Sequence, residues 1–427
     1  MKELARLRVW LFSVAVGALL ALGASCGGSG ENGVTSENGD GPAPSNGEFE
    51  FVGTIKIGGD IELSGPQAEF GLAVEDGATV AVAEINAAGG VLIDGERYRL
   101  EFIPKDNRSD PTTSVVVASE LAEEGIVGVF PPDRAFDAAY EIFKEGEILV
   151  FGGNPQSNLP LVLAPEDNPL LFVVAPLISD IVSGWLRQIR ELFPDAVRLA
   201  ILTENNESGA SLNMFIGNLA PAEGFEVVAR DSAPVGTTDF SSFLTSIKAE
   251  DPDLVFTGVF PQQSVPATQQ AADLDVAPYL WAMAITPEDL GTTEFRDASV
   301  ILTHFGPAFG ESFTPPQWVE TARRYDELAG RRIATPSIAI LEHDLVWLLK
   351  GAIEEAGTFT DTQAIAQALP GQTYESPFGL VRMQTDHSKD GPNVVYVVEG
   401  GEVTFHIYSS LKNESVAESS ITLQSNE

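Results

Sequence analysis

Hydrophobic positions change period within residues 54–91. Ile55, Ile57 and Ile61 make the apolar run of a buried strand, and Ser64-Gly65-Pro66 breaks it with turn-favouring residues. Val74, Ala78, Ala81 and Ile85 then recur at helical spacing, one apolar stripe that Gly89-Gly90 ends. A strand feeding a helix through such a turn is the first half of a βαβ unit. The helix's unpaired amides point at the strand's C-terminal edge. The rhythm continues with strands predicted at 98–103, 127–130 and 148–151. A helix at 111–123 has Asp110 as N-cap and Pro111 at its first position, and another runs to Glu145. A second series places strands at 198–202, 226–230, 254–259 and 279–283, with helices at 207–219 and 240–249. A long helix at 336–356 aligns Leu341, Leu345, Leu348 and Leu349, and its Trp347 is assigned to the core. Such alternation predicts an α/β protein with parallel sheets covered on both faces, whose strand ends lead into the loops that form a ligand edge.

The two ends of the chain read differently. Lys2, Arg6 and Arg8 precede an apolar segment at 9–22 and the small residues Gly23-Ala24-Ser25, the pattern of a secretory signal too short to span a bilayer comfortably. Residues 26–50 are mostly Gly, Ser, Asn and acidic residues, a flexible tether, and 409–427 is expected to be disordered. At 427 residues the length fits two domains. Formal net charge is −38, spread along the chain, and losing residues 1–25 takes it to −40, which excludes nucleic acid as a partner. Only 8 of the 24 basic residues are lysine, which suits either a saline medium that screens self-repulsion or simple solubility after export. With a single cysteine, Cys26, there is no internal disulfide.

Chemistry is conspicuous by its scarcity. Past the N-terminal signal segment and its cysteine the sequence contains no GxSxG elbow, and nowhere a phosphate-binding GxxxxGK[ST] loop, HExxH or paired-cysteine zinc pattern. His304, His343, His387 and His406 lack ligand spacing and are assigned structural roles, and Gly58-Gly59 lacks the third glycine of a dinucleotide fingerprint. Neither catalysis, nor a metal, nor a cofactor is expected, and noncovalent binding in a cleft explains the architecture better.

Four stretches occur in family order: LSGPQAEFG with AVAEINAAGGV, DNRSDPTTSVVVASEL, TTDFSSFLTSIKAEDPDLVFTG and SPFGLVRMQTDHSKDGPN. Together they resemble the substrate-binding proteins of branched-chain amino acid and amide ABC transporters, the Leu/Ile/Val-binding family, over residues 54–408. That resemblance implies two Rossmann-like lobes joined by three interlobe crossovers, the periplasmic binding protein-like I fold. Lobe 1 would comprise 51–176 and 304–372, and lobe 2 would comprise 177–303 and 373–408. The implied function is a monomeric receptor that closes on a small polar solute, amino acid or amide-like, and serves ABC permease membrane subunits; a sensor presenting occupancy to a membrane receptor is the alternative, with an exported hydrolase behind it. Cys26 resembles a lipobox cysteine that takes lipid and tethers the protein outside the cytoplasmic membrane, although Gly23 stands where leucine is usual.

Carried over residue by residue, Phe70 matches an aromatic position against the ligand, with helix-start packing as its other reading. Loops that in the family offer hydroxyls to a ligand carboxylate here hold Asp133, Arg134 and Ala135, and Gly153 and Asn154. Arg134 is either a bidentate partner for an anion or one half of a solvated ion pair. In the second lobe Ser208 stands at a tyrosine position. Gln262, after Phe260, stands where an acidic residue commonly holds an α-ammonium, and Glu204 is a candidate substitute. A neutral amide does not neutralise a buried ammonium, which argues against leucine or valine as ligand. Trp281 and Met283 either wall the cleft or lie in the core.

Overall fold

The computed structural model describes residues 49–422 apart from 133–135, 153–163, 259–260, 284, 286, 291–297, 305–309, 311–313, 401 and 410–413. The first sheet contains β1 (Gly53–Ile61), β2 (Val91–Ile93), β3 (Glu96–Asp106), β4 (Gly128–Phe130), β5 (Leu149–Phe151) and β6 (Leu171–Phe172) in the order β2-β3-β1-β4-β5-β6. A small antiparallel sheet contains β12 (Thr373–Ser376), β13 (Gly379–Met383) and β14 (Lys389–Asp390). The remaining large sheet has β7 (Arg198–Glu204), β8 (Glu226–Ala233), β9 (Leu254–Gly258), β10 (Tyr279–Met283) and β11 (Ser299–Thr303). It is extended by β15 (Pro392–Glu399), β16 (Glu402–Ser409) and β17 (Glu414–Thr422), giving the order β17-β16-β15-β11-β10-β9-β7-β8.

Both large sheets trace the same parallel path, β3-β1-β4-β5 in one and β8-β7-β9-β10 in the other. In each, strand order reverses beside the first strand of its series, between β1 and β4 and between β7 and β9. Loops leaving such a switch point diverge and open a crevice at the strands' C-terminal ends. The chain crosses between these sheets after β6, after β11 and between β14 and β15.

The helices follow from the patterning that predicts them. α1 (Ala68–Ala87) buries Val74, Ala78, Ala81 and Ile85 against Ile55, Ile57 and Ile61, and ends where Gly89 takes φ 105°. α2 (Pro111–Glu123) starts with the Asp110 side chain accepting from Thr113 N at 2.7 Å. They are followed by α3 (Phe136–Glu145), α4 (Ile178–Leu192), α5 (Glu207–Leu219), α6 (Ser241–Lys248), α7 (Pro261–Asp273), α8 (Val319–Ala329), α9 (Pro336–Ala356) and α10 (Thr362–Ala368). α9 crosses α1 closely because Gly77 meets the backbone of Ala339, where a Cβ would collide with its carbonyl. Trp347, as expected, packs at the core, stacked on Tyr374 with ring centroids 4.9 Å apart.

Some elements differ from expectation. Past Tyr408 the composition predicts disorder, yet β17 pairs antiparallel with β16, since an edge strand needs only a free backbone ladder beside it. Val381 and Met383 of β13 join the core around β1 and α9, so the chain enters the second large sheet at Pro392 and not at Thr373. A further apolar cluster is shared: Val80 of α1, with Trp318, Tyr325, Ala339 and Ile340, belongs with Ala200, Val255, Leu280 and Val300 of the second large sheet.

Candidate functional site

The turn after β1 is held by the turn after β3. Asp106 accepts hydrogen bonds from Ser64 N at 3.1 Å and Ser64 Oγ at 2.7 Å, while Ser109 Oγ accepts from Gln67 N at 3.1 Å and donates to the Ser64 carbonyl at 2.9 Å. Thus LSGPQ and DNRS, distant in sequence, make one rigid corner. These bonds hold the Asp106 carboxyl below its ordinary pKa against the opposing effect of burial. Beneath the corner lies Asp60, fully buried, accepting from Asn107 Nδ2 at 3.1 Å and from Ser114 Oγ at 2.8 Å. Desolvation outweighs those bonds and pushes its pKa up to about 7.

The turn after β7 is built on the same plan. Asn206 caps α5 by accepting from Gly209 N at 2.8 Å, and its amide donates to Glu204 Oε2 at 2.7 Å. A glycine seats each helix on its strand end: a Cβ on Gly71 would strike the Glu62 backbone, and one on Gly209 the Glu204 carbonyl. Two helix N-termini are therefore fixed at the C-terminal ends of β1 and β7, beside the two switch points. Backbone N–H groups at such ends favour carboxylates and other anionic or strongly polar groups.

Phe70 lies in the first turn of α1 with 39% of its surface exposed, so helix-start packing does not consume the ring. Glu204 ends β7 and is buried at 4% exposure. Ser208 and Gln262 fall in the first turns of α5 and α7. Asp133, Arg134, Ala135, Gly153, Asn154, Phe260 and Cys26 lie outside the described residues, as do the signal segment and most of the tether. The strand ends leading into those loops, Phe130 of β4, Phe151 of β5 and Gly258 of β9, all lie on the same two edges. Met283 belongs instead with the buried core of the second sheet, beside Trp281, whose indole donates to Thr303 Oγ1 at 3.0 Å.

The histidines have structural partners. His304 Nε2 lies 2.8 Å from the Ile285 carbonyl, His387 Nδ1 lies 2.9 Å from that of Leu171, and His343 sits between Glu84 and Asp344 at 2.8 and 3.0 Å. Among the described residues no cluster of His, Cys, Asp and Glu is arranged to hold a metal. No helix among them is long and apolar enough to cross a membrane. Sequence reasoning passed over Asp60, Asp106 and Ser109, although Asp-Asn-Arg-Ser after a strand is a turn-forming signal.

A separate cavity of about 370 Å³ lies beside the crossovers, and none of the sequence-predicted site residues lines it.

The model of the family described as periplasmic binding protein matches residues 54–402. The Leu/Ile/Val-binding protein of Rhizobium johnstonii is 28% identical over 322 residues, 74% of this chain and 83% of that protein. The Leu/Ile/Val/Thr-binding protein of Salmonella typhimurium is 25% identical over 339 residues, 77% of this chain and 87% of that protein. In fold the chain is similar to the closed Leu-, Ile-, Val-, Thr- and Ala-binding protein of Brucella ovis, with TM-score 0.66 and 20% identity over 80% of this chain and 89% of that one. It is also similar to a benzoate-bound solute-binding protein of R. palustris, with TM-score 0.60 and 14% identity over 88% of this chain and 98% of that one.

Proposed function

Because this chain belongs to the periplasmic binding protein family, whose members are solute receptors of transporters and not enzymes, we propose that it captures a small polar solute, amino acid or amide-like, between two lobes and delivers it to an ABC permease. The observation supporting this reading most is the paired construction of the two switch-point turns, in which Gly71 and Gly209 press a helix N-terminus onto a strand end in each large sheet. Contacts from two such edges exist together only when the lobes close, so ligand shifts the population towards the closed form. Phe70 supplies an aromatic wall from the first sheet. Glu204, Ser208 and Gln262 supply polar groups from the second, with the loops at Asp133–Ala135, Gly153–Asn154 and Phe260 completing the lining.

Gln262 at the position where the family commonly has a carboxylate favours a ligand other than plain leucine or valine. Export with lipid on Cys26 and a tether through residue 50 keeps the receptor near its permease, as a monomer. Mass spectrometry of solute released from gently purified protein identifies the ligand, and thermal melting against amino acids, amides and urea checks its class. Stabilisation by at least one of these solutes, lost in Phe70→Ala, is expected; a flat response across the whole panel overturns the ligand class.

A further inference from the structure

The cavity beside the crossovers is walled by α4, by the first half of α9, and by residues 384–393 leading into β15. Two opposite charges on its lining, Lys389 and Asp180, bear on what it could hold. Lys389 is only 1% exposed, and its closest carboxylate, Asp344, is 3.7 Å from Nζ, an ion-pair distance beyond the usual limit for a hydrogen bond. Asp180, in the first turn of α4, also lines the cavity; it is exposed, its backbone N–H donates to the Leu177 carbonyl at 2.9 Å, and its carboxylate makes no hydrogen bond to another described residue. The other charges are engaged: Arg187 with Glu223 at 3.0 Å, Asp390 with Gln384 at 3.1 Å, and Asp386 with Ser388.

Gly184 shows that the space is left open. It sits inside α4, where glycine is a poor helix former. The helical glycines Gly71, Gly77 and Gly209 are each required by a backbone that a Cβ would strike, but a Cβ on Gly184 would meet only Gln188 Nε2, at 3.9 Å. Packing therefore does not demand glycine here; what its missing side chain does is leave volume at the cavity wall.

We propose that this cavity is a second binding site, distinct from the cleft between the strand ends, for a small zwitterion whose carboxylate meets Lys389 and whose cationic group faces Asp180. A simple anion would confront Asp180, Asp344, Asp386 and Asp390, and a simple cation would meet the ammonium of Lys389, which Asp344 holds at 3.7 Å. Burial lowers the pKa of Lys389, although Asp344 and Glu342 oppose the shift, so a ligand carboxylate at this point restores the charge that burial disfavours. The site touches all three crossovers through Pro176, His304 and Gly391.

Isothermal titration of purified protein with glycine, glycine betaine, acetate and ethylammonium tests this. Glycine and betaine together indicate a zwitterion in general, and glycine alone an α-amino acid. Acetate and ethylammonium should bind at least tenfold more weakly. Binding should fall at least tenfold in Lys389→Met and in the plugging variant Gly184→Leu, and severalfold in Asp180→Asn, yet survive Phe70→Ala. Gly184→Ala should keep binding and raise the melting midpoint, which separates blockage from misfolding. Zwitterion binding lost in Phe70→Ala but unchanged in Lys389→Met and Gly184→Leu would assign it to the cleft and overturn this site alone. Equal binding of acetate, or no zwitterion binding in folded protein, overturns it as well.

Discussion

Replacing Asp60 by asparagine should make the protein more stable at neutral pH, by an amount that grows with pH. In the native state the carboxyl is fully buried beneath the corner of β1, and its pKa lies at about 7 against an ordinary 3.8. Folding therefore holds a proton that the unfolded chain releases between those values. The stability associated with that proton is fully present below pH 3.8, is lost as pH rises towards 7, and stays lost above it. At ~1.4 kcal/mol per pH unit the whole excursion is ~4 kcal/mol, of which ~3 kcal/mol falls between pH 5 and pH 8. Asparagine does not titrate, while its amide oxygen still accepts from Asn107 or Ser114. Urea unfolding of both proteins followed by circular dichroism at pH 5, 6, 7 and 8 gives the stability difference at each pH. Any fixed loss of hydrogen bonding offsets that difference equally at every pH, so the slope alone carries the test. A difference that does not change from pH 5 to pH 8 would refute the assignment of a protonated Asp60.

His343, bonded to Glu84 and Asp344, has its pKa raised because those carboxylates outweigh the opposing effect of burial. Its contribution is present below the unfolded value of 6.5 and falls as pH rises above it towards the raised folded value, so the cost of His343→Leu, about 3 kcal/mol at pH 6 by urea unfolding, should shrink steadily as pH is raised past 6.5. Gly77→Ala pushes a methyl into the Ala339 carbonyl and should destabilise by about 1–3 kcal/mol, visible as a lower melting midpoint, whereas Gly184→Ala should raise it. Asn206→Ala removes the α5 cap and the amide that holds Glu204, and should cost ~1 kcal/mol in urea while weakening solute binding measured by titration. Unaltered binding in that variant would remove Glu204 from the ligand's surroundings.

Local periodicity made the βα units legible, because each buries its own stripe: α1, α2, α5 and α9 begin and end close to where spacing, caps and glycines place them. α4 escaped, although its apolar positions Ile178, Ile181, Val182, Trp185 and Ile189 repeat at helical spacing, since a Gly and several polar residues dilute the run. β17 escaped because its register comes from β16 and not from its own composition. For the candidate site, the resemblance names loops but not what braces the turns after β1 and β7. The links from Asp106 to Ser64 and from Ser109 to Gln67 join residues 42 apart in sequence, and no local pattern encodes that pairing. Nor does spacing reveal that Met283 is enclosed by neighbouring strands.

The apolar cluster shared by α1, α8, α9 and the second large sheet limits how far those helices and that sheet can part. Drawing Val80, Tyr325 and Ile340 away from Val255 and Leu280 would wet a seam of aliphatic and aromatic side chains. At ~25 cal/mol per Å², every 100 Å² so wetted costs ~2.5 kcal/mol, more than a weakly bound solute readily offsets. Movement is cheapest as a pivot that keeps that seam dry and swings only the opposite rim, as a clam opens while its ligament stays joined.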